Sequence, residues 1–312
     1  MKRIPVIVLF APTATGKTAL AIDIFGKSSP SFFKDKAELI SADSMQVYKG
    51  LDIGTAKPDA EEQKELKHHL IDLYNIEKQW TVADFVHEAD LLCKEIYGRE
   101  KIPLIAGGTG FYIRNFILGL PETPVSDEKI RNQLKERIKA EGKEKLYEEL
   151  CRIDPESALK ININDEYRIV RALEVFYATG KPRSSFKLNL KPRNQYDFKV
   201  IILERNREDL YDRINRRVDD MFDAGLAKEV QSLCESGARP DMPGMQAIGY
   251  REFFDGEGML RPDFDQVRHL IKHDSRKYAK KQYTFMADIP GAVRIDATDS
   301  KKCYEKVIQL LT

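Results

Sequence analysis

Residues 11 to 18 read Ala11-Pro12-Thr13-Ala14-Thr15-Gly16-Lys17-Thr18 and follow directly on the apolar run I-P-V-I-V-L-F at 4 to 10. A strand followed by G-x-x-x-x-G-K-[ST] and a helix wraps backbone N–H groups and a helix N-terminus around a diphosphate. Its lysine neutralises the charge and its hydroxyl coordinates Mg²⁺. Gly16, Lys17 and Thr18 match the end of that pattern, whereas Ala11 stands where the pattern has glycine. The alanine methyl is tolerable only if that residue keeps a negative φ. A phosphate cradle is therefore expected, with its ligand open between ATP and some other diphosphate.

A nucleotide-hydrolysing site of this type also needs an acidic residue at the end of a neighbouring strand to hold Mg²⁺. The run I-P-L-I-A at 102 to 106 instead continues into Gly107-Gly108-Thr109, with no carboxylate. The strand-like segment at 37 to 43 does end in one, Asp43. Ligands of open α/β sheets bind beyond the carboxyl ends of the strands, so the phosphate loop, Asp43 and Gly107-Gly108-Thr109 are expected to meet in one crevice. An aspartate facing a diphosphate must bind metal or take a proton from a second substrate. Arg213 and Arg217, at i and i+4 on a helical stretch, could point to the diphosphate or pair with Asp212, Asp219 and Asp220 on a surface. Arg268, Lys272, Arg276 and Lys280 recur every four residues and would form a positive stripe suited to tracking phosphates. His68 and His69 are adjacent with no third ligand near, so metal binding is not expected there.

These groups need elements to carry them. Strand-like runs at 4–10, 37–43, 102–106 and 198–203 alternate with helical stretches such as 81–97 and 207–222, which implies a parallel sheet with right-handed crossovers. Residues 121–196 contain amphipathic helical patterns and no strand-like run, which suggests a helical domain inserted into an α/β core formed by 1–120 and 197–312. The end of that insertion carries Lys181, Arg183, Lys187, Lys191 and Arg193 without an acidic residue, as a solvated linker or a basic contact segment would. With 312 residues, 42% hydrophobic and 32% charged, the composition fits a globular two-domain protein rather than a disordered or membrane chain. Net charge is only +1, and the four cysteines form no C-x-x-C pair, so free thiols and a cytoplasmic location are expected.

The strings A-P-T-A-T-G-K-T, D-S-M-Q-V-Y-K-G-L-D-I-G-T-A-K-P, H-H-L-I-D, G-G-T-G-F-Y, R-A-L-E-V and A-I-G-Y-R-E closely resemble, in order and over nearly the whole chain, those of the tRNA dimethylallyltransferases. The resemblance implies a P-loop NTPase-like parallel sheet core with an inserted all-helical domain. It also implies transfer of a dimethylallyl group from dimethylallyl diphosphate to N6 of the adenosine 3′-adjacent to the anticodon. The diphosphate would then be a leaving group. By the same resemblance, Thr13 to Thr18 hold dimethylallyl diphosphate with Lys17 on its phosphates, and Thr18 binds Mg²⁺; Arg213 and Arg217, from their spacing, are expected to assist. Asp43 takes the N6 proton as general base, and Thr109 hydrogen-bonds the departing diphosphate. Asp43, Ser44, Met45, Gln46 and Thr109 match contacts to tRNA, with Gln46 suited to an adenine edge. Arg131 and the segment Tyr167, Arg168, Ile169, Val170, Arg171 match tRNA-contacting positions in the insertion, although Ile169 and Val170 also read as plain helix core. The implied partners are a flipped-out adenosine of the anticodon stem-loop and dimethylallyl diphosphate, with a monomeric protein and no membrane.

Two positions depart from the family pattern: Ala11 replaces glycine, and Phe285 replaces tryptophan, keeping a stacking plane but losing the indole donor. Competing expectations are a P-loop kinase, which would bind ATP, and a non-catalytic RNA-binding protein using the basic stripe.

Overall fold

The computed structural model describes residues 2–186 and 190–312. Lys187 of the basic tract lies outside the described residues. The chain divides into two compact units, Met1–Ile117 with Pro192–Thr312, and Leu118–Lys191.

In the first unit the strands are β1 (Ile4–Phe10), β2 (Ala37–Ser41), β3 (His68–His69), β4 (Ile102–Gly107), β5 (Tyr196–Glu204) and β6 (Val293–Asp296). They form a six-stranded sheet in the order β3-β2-β4-β1-β5-β6, parallel throughout. β1 is central, pairing Leu9 with Ala106 of β4 on one side and with Ile201 of β5 on the other. Its continuous apolar run is what a strand covered on both faces requires, and Val6 to Phe10 are all buried. β2 stops at Ser41, two residues earlier than the apolar pattern suggests, so Asp43 sits in the turn beyond the strand.

The helices α1 (Lys17–Phe25), α2 (Ala60–Glu65), α3 (Val82–Gly98) and α4 (Gly110–Leu118) follow the first strands. α2 and α3 each start with a reciprocal capping box, from Asp59 with Glu62 and from Thr81 with Asp84. α1, with Leu20, Ile24 and Phe25 inward, packs in a core shared with Leu9, Leu39 and Leu104.

The second unit contains α5 (Glu128–Glu141), α6 (Lys143–Ile153), α7 (Pro155–Ala158) and α8 (Glu166–Thr179). They close a core of their own around Leu134, Leu146, Leu150, Ile169 and Leu173. The chain then returns to the sheet and adds α9 (Arg207–Asp223), α10 (Leu226–Glu235), α11 (Phe264–Ala287) and α12 (Ser300–Leu311). Among the described residues no helix is long and apolar enough to cross a membrane.

Two strands escape sequence reading. β3 has two residues and is defined only by pairing with Leu39 and Ile40. β6 has a half-exposed edge pattern without an apolar run. His68 and His69 lie on β3, where His69 Nε2 meets the buried Glu38 carboxylate at 2.7 Å and His68 Nδ1 meets the Leu66 carbonyl at 2.6 Å. Among the described residues no cluster of side chains is suited to hold a metal ion by itself.

Candidate active site beyond the strand ends

A cavity of about 590 Å³ opens where β1, β2 and β4 end. Gly16, Lys17 and Thr18 line it at one side, Asp43 to Gln46 at another, with Gly107 and Gly108 between. The three segments that the sequence placed beyond the strands therefore do converge.

The loop's shape explains its departures from pattern. Gly16, immediately before α1, has φ +100°, a left-handed conformation that favours glycine. Ala11 is not among the residues with positive φ, and its methyl is fully buried in the sheet core. The condition for alanine at this position is met. Ala14 carries the loop's left-handed strain instead, at φ +61°. Its methyl packs with Leu210, Ile214 and Ala279, which compensates for the conformation by burial.

The loop is gripped from outside at each turn. Thr15 Oγ1 donates to the Pro12 carbonyl at 2.8 Å. The Arg205 Nε–H donates to Thr15 O at 3.0 Å, and the Arg213 Nε–H to Ala14 O at 2.8 Å. Gln282 Oε1 accepts from the Thr13 N–H at 3.1 Å. Two expectations change. Thr13 lines the cavity, but its amide is occupied by Gln282 and is not free for a ligand. Arg213 fixes the loop carbonyl and does not line the cavity, whereas Arg217, one turn on, does.

The cavity's electrostatics centre on Lys17, Arg217 and Asp43. Burial first, and then the nearby Arg217, lower the Lys17 ammonium to about 8, with Asp43 acting against both. Burial also lowers Arg217, again opposed by Asp43. Two cations held close in a poorly hydrated pocket are a site prepared for a polyanion. The end of β4 supplies Ala106, Gly107 and Gly108 to the cavity, so it places no carboxylate where metal-dependent phosphoryl transfer requires one.

Asp43 is oriented by its own turn. Its Oδ1 accepts from the Met45 N–H at 2.9 Å and from the Gln46 N–H at 3.4 Å. Among the described residues nothing donates to Oδ2. Thr109 ties the two turns together: its N–H donates to Ala42 O at 3.1 Å, and its Oγ1 accepts from the Ser44 N–H at 3.1 Å. Tyr278, unremarked in the sequence, lines the same cavity. Burial first, and then the Asp43 charge, push its phenol up to about 12, so it stays protonated as a donor.

Gln46 is differently placed from expectation. Its Oε1 accepts from Ser41 Oγ at 2.9 Å, and its Nε2 faces the Thr55 and Ala56 carbonyls at 3.4 and 3.3 Å. The amide therefore closes the 43–58 segment on itself, and reading an adenine edge would require breaking those bonds. The same segment is anchored by Lys57, whose Nζ meets Tyr48 O, Asp52 and Asp72. Glu229 on α10 accepts from the Ile53 N–H at 2.9 Å and from the Tyr250 hydroxyl at 2.6 Å. Gly54 has no alternative, because a Cβ there would lie 2.5 Å from the Tyr250 ring. The strings D-I-G-T and A-I-G-Y-R-E thus form one packed unit behind the cavity.

In the helical unit the expected contacts separate. Ile169 and Val170 are buried core and cannot meet a partner's surface. Glu174, only 1% exposed, accepts from Ser126 Oγ and the Asp127 N–H and lies within ion-pair distance of Arg131 (3.4 Å) and Arg171 (3.1 Å). Those two arginines neutralise a buried carboxylate. Tyr167, 72% exposed, and Arg168, loosely paired with Asp165, do present themselves to solvent.

The basic stripe on α11 is also compensated: Arg268 and Lys272 pair with Asp219, and Arg276 donates to Asn215. The face of α11 that meets the cavity is offset from that stripe and carries Ser275, Tyr278 and Gln282. Phe285 continues it, meeting Phe111 edge-on at 6.5 Å. Of the basic tract, Arg193 is fixed by Asp90 and the Phe116 carbonyl rather than solvated.

The family model described as IPP transferase matches residues 46–288. That span begins after the phosphate loop. The tRNA dimethylallyltransferase of Acetivibrio thermocellus is 40% identical over 98% of this chain and 96% of its own length. That of Geobacter sulfurreducens is 39% identical over 91% and 89%. Among solved structures, the full-length tRNA isopentenylpyrophosphate transferase of Bacillus halodurans aligns with TM-score 0.68 at 34% identity, covering 99% of this chain and 96% of the other. A eukaryotic dimethylallyltransferase acting on tRNA aligns with TM-score 0.79 at 28% identity, covering 96% of this chain and 75% of that one.

Proposed function

This chain belongs to the IPP transferase family, a tRNA-prenylating transferase group with a P-loop NTPase-like core, and we propose how its cavity performs the reaction. The substrates are dimethylallyl diphosphate and the adenosine 3′-adjacent to the anticodon in tRNA. Lys17, Arg217 and the backbone from Ala14 to Thr18 hold the diphosphate at one side of the cavity. Asp43 faces the other side with Oδ1 fixed by two amides, so Oδ2 is aimed at an entering amine.

N6 of an adenine is a weak nucleophile because its lone pair is delocalised into the ring. As N6 attacks C1 of the dimethylallyl group, the C1–O bond to diphosphate breaks and the N6 proton passes to Asp43 Oδ2. A carboxylate that accepts the proton as the C–N bond forms lowers this barrier enough to raise the rate by about 10² to 10⁴. Charge develops on the departing diphosphate, which Lys17 and Arg217 in the cavity would receive. Thr109 does not line the cavity and its hydroxyl is engaged by Ser44, so a bond from it to the diphosphate would require that contact to open. A magnesium ion accompanying the diphosphate would be held at the Thr18 hydroxyl, which lines the cavity next to Lys17, and among the described residues no cluster of side chains is suited to hold one by itself. Such an ion, when bound, neutralises phosphate charge.

The observation that carries this reading is the meeting of the Lys17–Arg217 cation pair and Asp43 in one cavity with no carboxylate at the end of β4. Incubation with unmodified tRNA and labelled dimethylallyl diphosphate is expected to label the tRNA. Asp43→Asn is expected to lower kcat by about 10² to 10⁴ while tRNA affinity stays within about threefold. A variant with wild-type kcat would remove the general-base role. ATP binding with no affinity for dimethylallyl diphosphate would favour a kinase instead.

A further inference from the structure

Gln282 is buried, 2% exposed, towards the C-terminal end of α11, far in sequence from every residue named above as catalytic. Its two amide ends go to two different loops. Oε1 accepts from the Thr13 N–H of the phosphate loop at 3.1 Å, and Nε2 donates to the Gly108 carbonyl at 2.7 Å. Gly108 precedes Thr109, which is bonded in turn to Ala42 and Ser44 on either side of Asp43. One side chain therefore connects the diphosphate cradle to the turn carrying Thr109, and through it to the base.

The packing around this link is tight. A Cβ on Gly108 would overlap the Gln282 amide nitrogen, and one on Gly110 would overlap Phe285, one turn further along α11. Tyr278, one turn earlier, brings its hydroxyl to 3.5 Å from the same Gly108 oxygen. The helix thus presses a face of Tyr278, Gln282 and Phe285 onto the β4–α4 turn. Both partners of Gln282 are backbone groups, so a change at Gln282 moves loops and not merely side chains.

We propose that Gln282 is a positioning residue that sets the separation between the diphosphate cradle and the Thr109–Asp43 side of the active site. This inference rests on the prenyl-transfer reading above. Gln282 borders the cavity, but both ends of its amide are already committed to backbone groups, so its main contribution is not a contact to the diphosphate. Its loss therefore acts on the reacting geometry rather than on substrate binding. Misplacing reacting groups by about 1 Å typically lowers the rate by about 10².

The test measures kcat, KM for dimethylallyl diphosphate and Kd for tRNA in wild type, Gln282→Met and Gln282→Glu. Gln282→Met keeps the volume and loses both hydrogen bonds; kcat is expected to fall about 30- to 100-fold, with KM and Kd changed less than about threefold. Gln282→Glu can still accept from Thr13, but only its protonated form can donate to Gly108. A carboxyl buried against a carbonyl titrates above its ordinary range, so the ratio of its kcat to that of wild type is expected to rise as pH falls from about 8 to 6. Wild-type kcat in Gln282→Met, or KM and kcat worsening together, overturns the proposal. Should Gln282→Met fail to fold, a flat ratio for Gln282→Glu overturns it alone. Absence of transfer by wild type would instead defeat the reaction assignment, so the two failures are distinguishable.

Discussion

Lys17 stands at the start of α1 with protein crowded around it and Arg217 beside it, and only Asp43 favours its charge. Its ammonium titrates at about 8 rather than 10.5. At pH 7 roughly nine-tenths of the molecules carry the charge, and at pH 9 roughly one-tenth do. An alkyl diphosphate is fully ionised above about pH 7, since a terminal phosphate loses its second proton near 6. Binding above pH 8 must therefore be accompanied by uptake of one proton at Lys17. Affinity for a non-reactive alkyl diphosphate is expected to be flat from about pH 7 to 7.5 and to fall about tenfold per pH unit above 8. Isothermal titration calorimetry in buffers of different ionisation enthalpy would read both the slope and the proton. Lys17→Arg should remove the slope, and Arg217→Gln should move its onset upward by removing a repelling neighbour.

The same shift has a consequence for stability, with a definite sign. The folded state binds this proton less tightly than the unfolded chain, so the charged lysine destabilises the apoprotein below pH 8, and stability is regained as pH rises from 8 towards 10.5. The full shift corresponds to about 3 kcal/mol, and to roughly 2 once solvent at the open side of the cavity is allowed for. Lys17→Met is thus expected to melt several degrees higher than wild type at pH 7 while binding no diphosphate. An unchanged or lower melting temperature, or a wild-type affinity that does not vary between pH 7.5 and 9.5, would refute the account of a desolvated, cation-flanked lysine.

Other expectations follow from packing and from buried charge. Gly107→Ala would drive a methyl group into the Ala42 carbonyl, a backbone atom that cannot swing aside. A loss of more than about 3 kcal/mol is expected in urea unfolding. Gly98→Ala, with nothing within 4 Å of the new Cβ, should instead gain roughly 0.5 to 1 kcal/mol. Glu38, 3% exposed, loses stability to its burial, but the hydrogen bonds from Arg99 and His69 and the Lys67 charge outweigh that and hold it at about 2. Its contribution, roughly 3 kcal/mol, is present above about pH 4.5 and is lost as pH falls towards 2. Glu38→Gln should be less stable at pH 7 and should lack that acid-dependent step in a pH series of unfolding curves.

Much of this molecule is legible from local pattern. The strand–loop–helix opening, the alternation of apolar runs with helices, and the strand-free stretch before β5 each depend on neighbours within about a dozen residues. The strands survive into the structure with shifts of up to two positions, whereas the helical unit, expected at 121–196, begins three residues earlier and ends five earlier, leaving Arg193 and Tyr196 with the sheet. β2 ends early because its last two residues turn away to place Asp43. β3 and β6 were invisible because a two-residue strand and an exposed edge carry no periodic signal; only pairing defines them.

Side-chain partners are another matter. The regular spacing of Arg268, Lys272 and Arg276 suggested a free cationic stripe, yet Asp219 and Asn215 on α9 meet it. Arg131 and Arg171 looked like surface contacts, and a buried glutamate on the same unit claims them. By itself the sequence determined a strand–loop–helix with a G-K-T loop, a carboxylate beyond the second strand and a helical insertion, because these depend on residue type and local spacing. Which groups hold that cradle in place was decided only by the tertiary structure: Gln282 meets Thr13 across 269 residues and Arg213 meets Ala14 across 199. No local rule relates positions so far apart, and it is the folding of α9 and α11 back over the strand ends that brings them together.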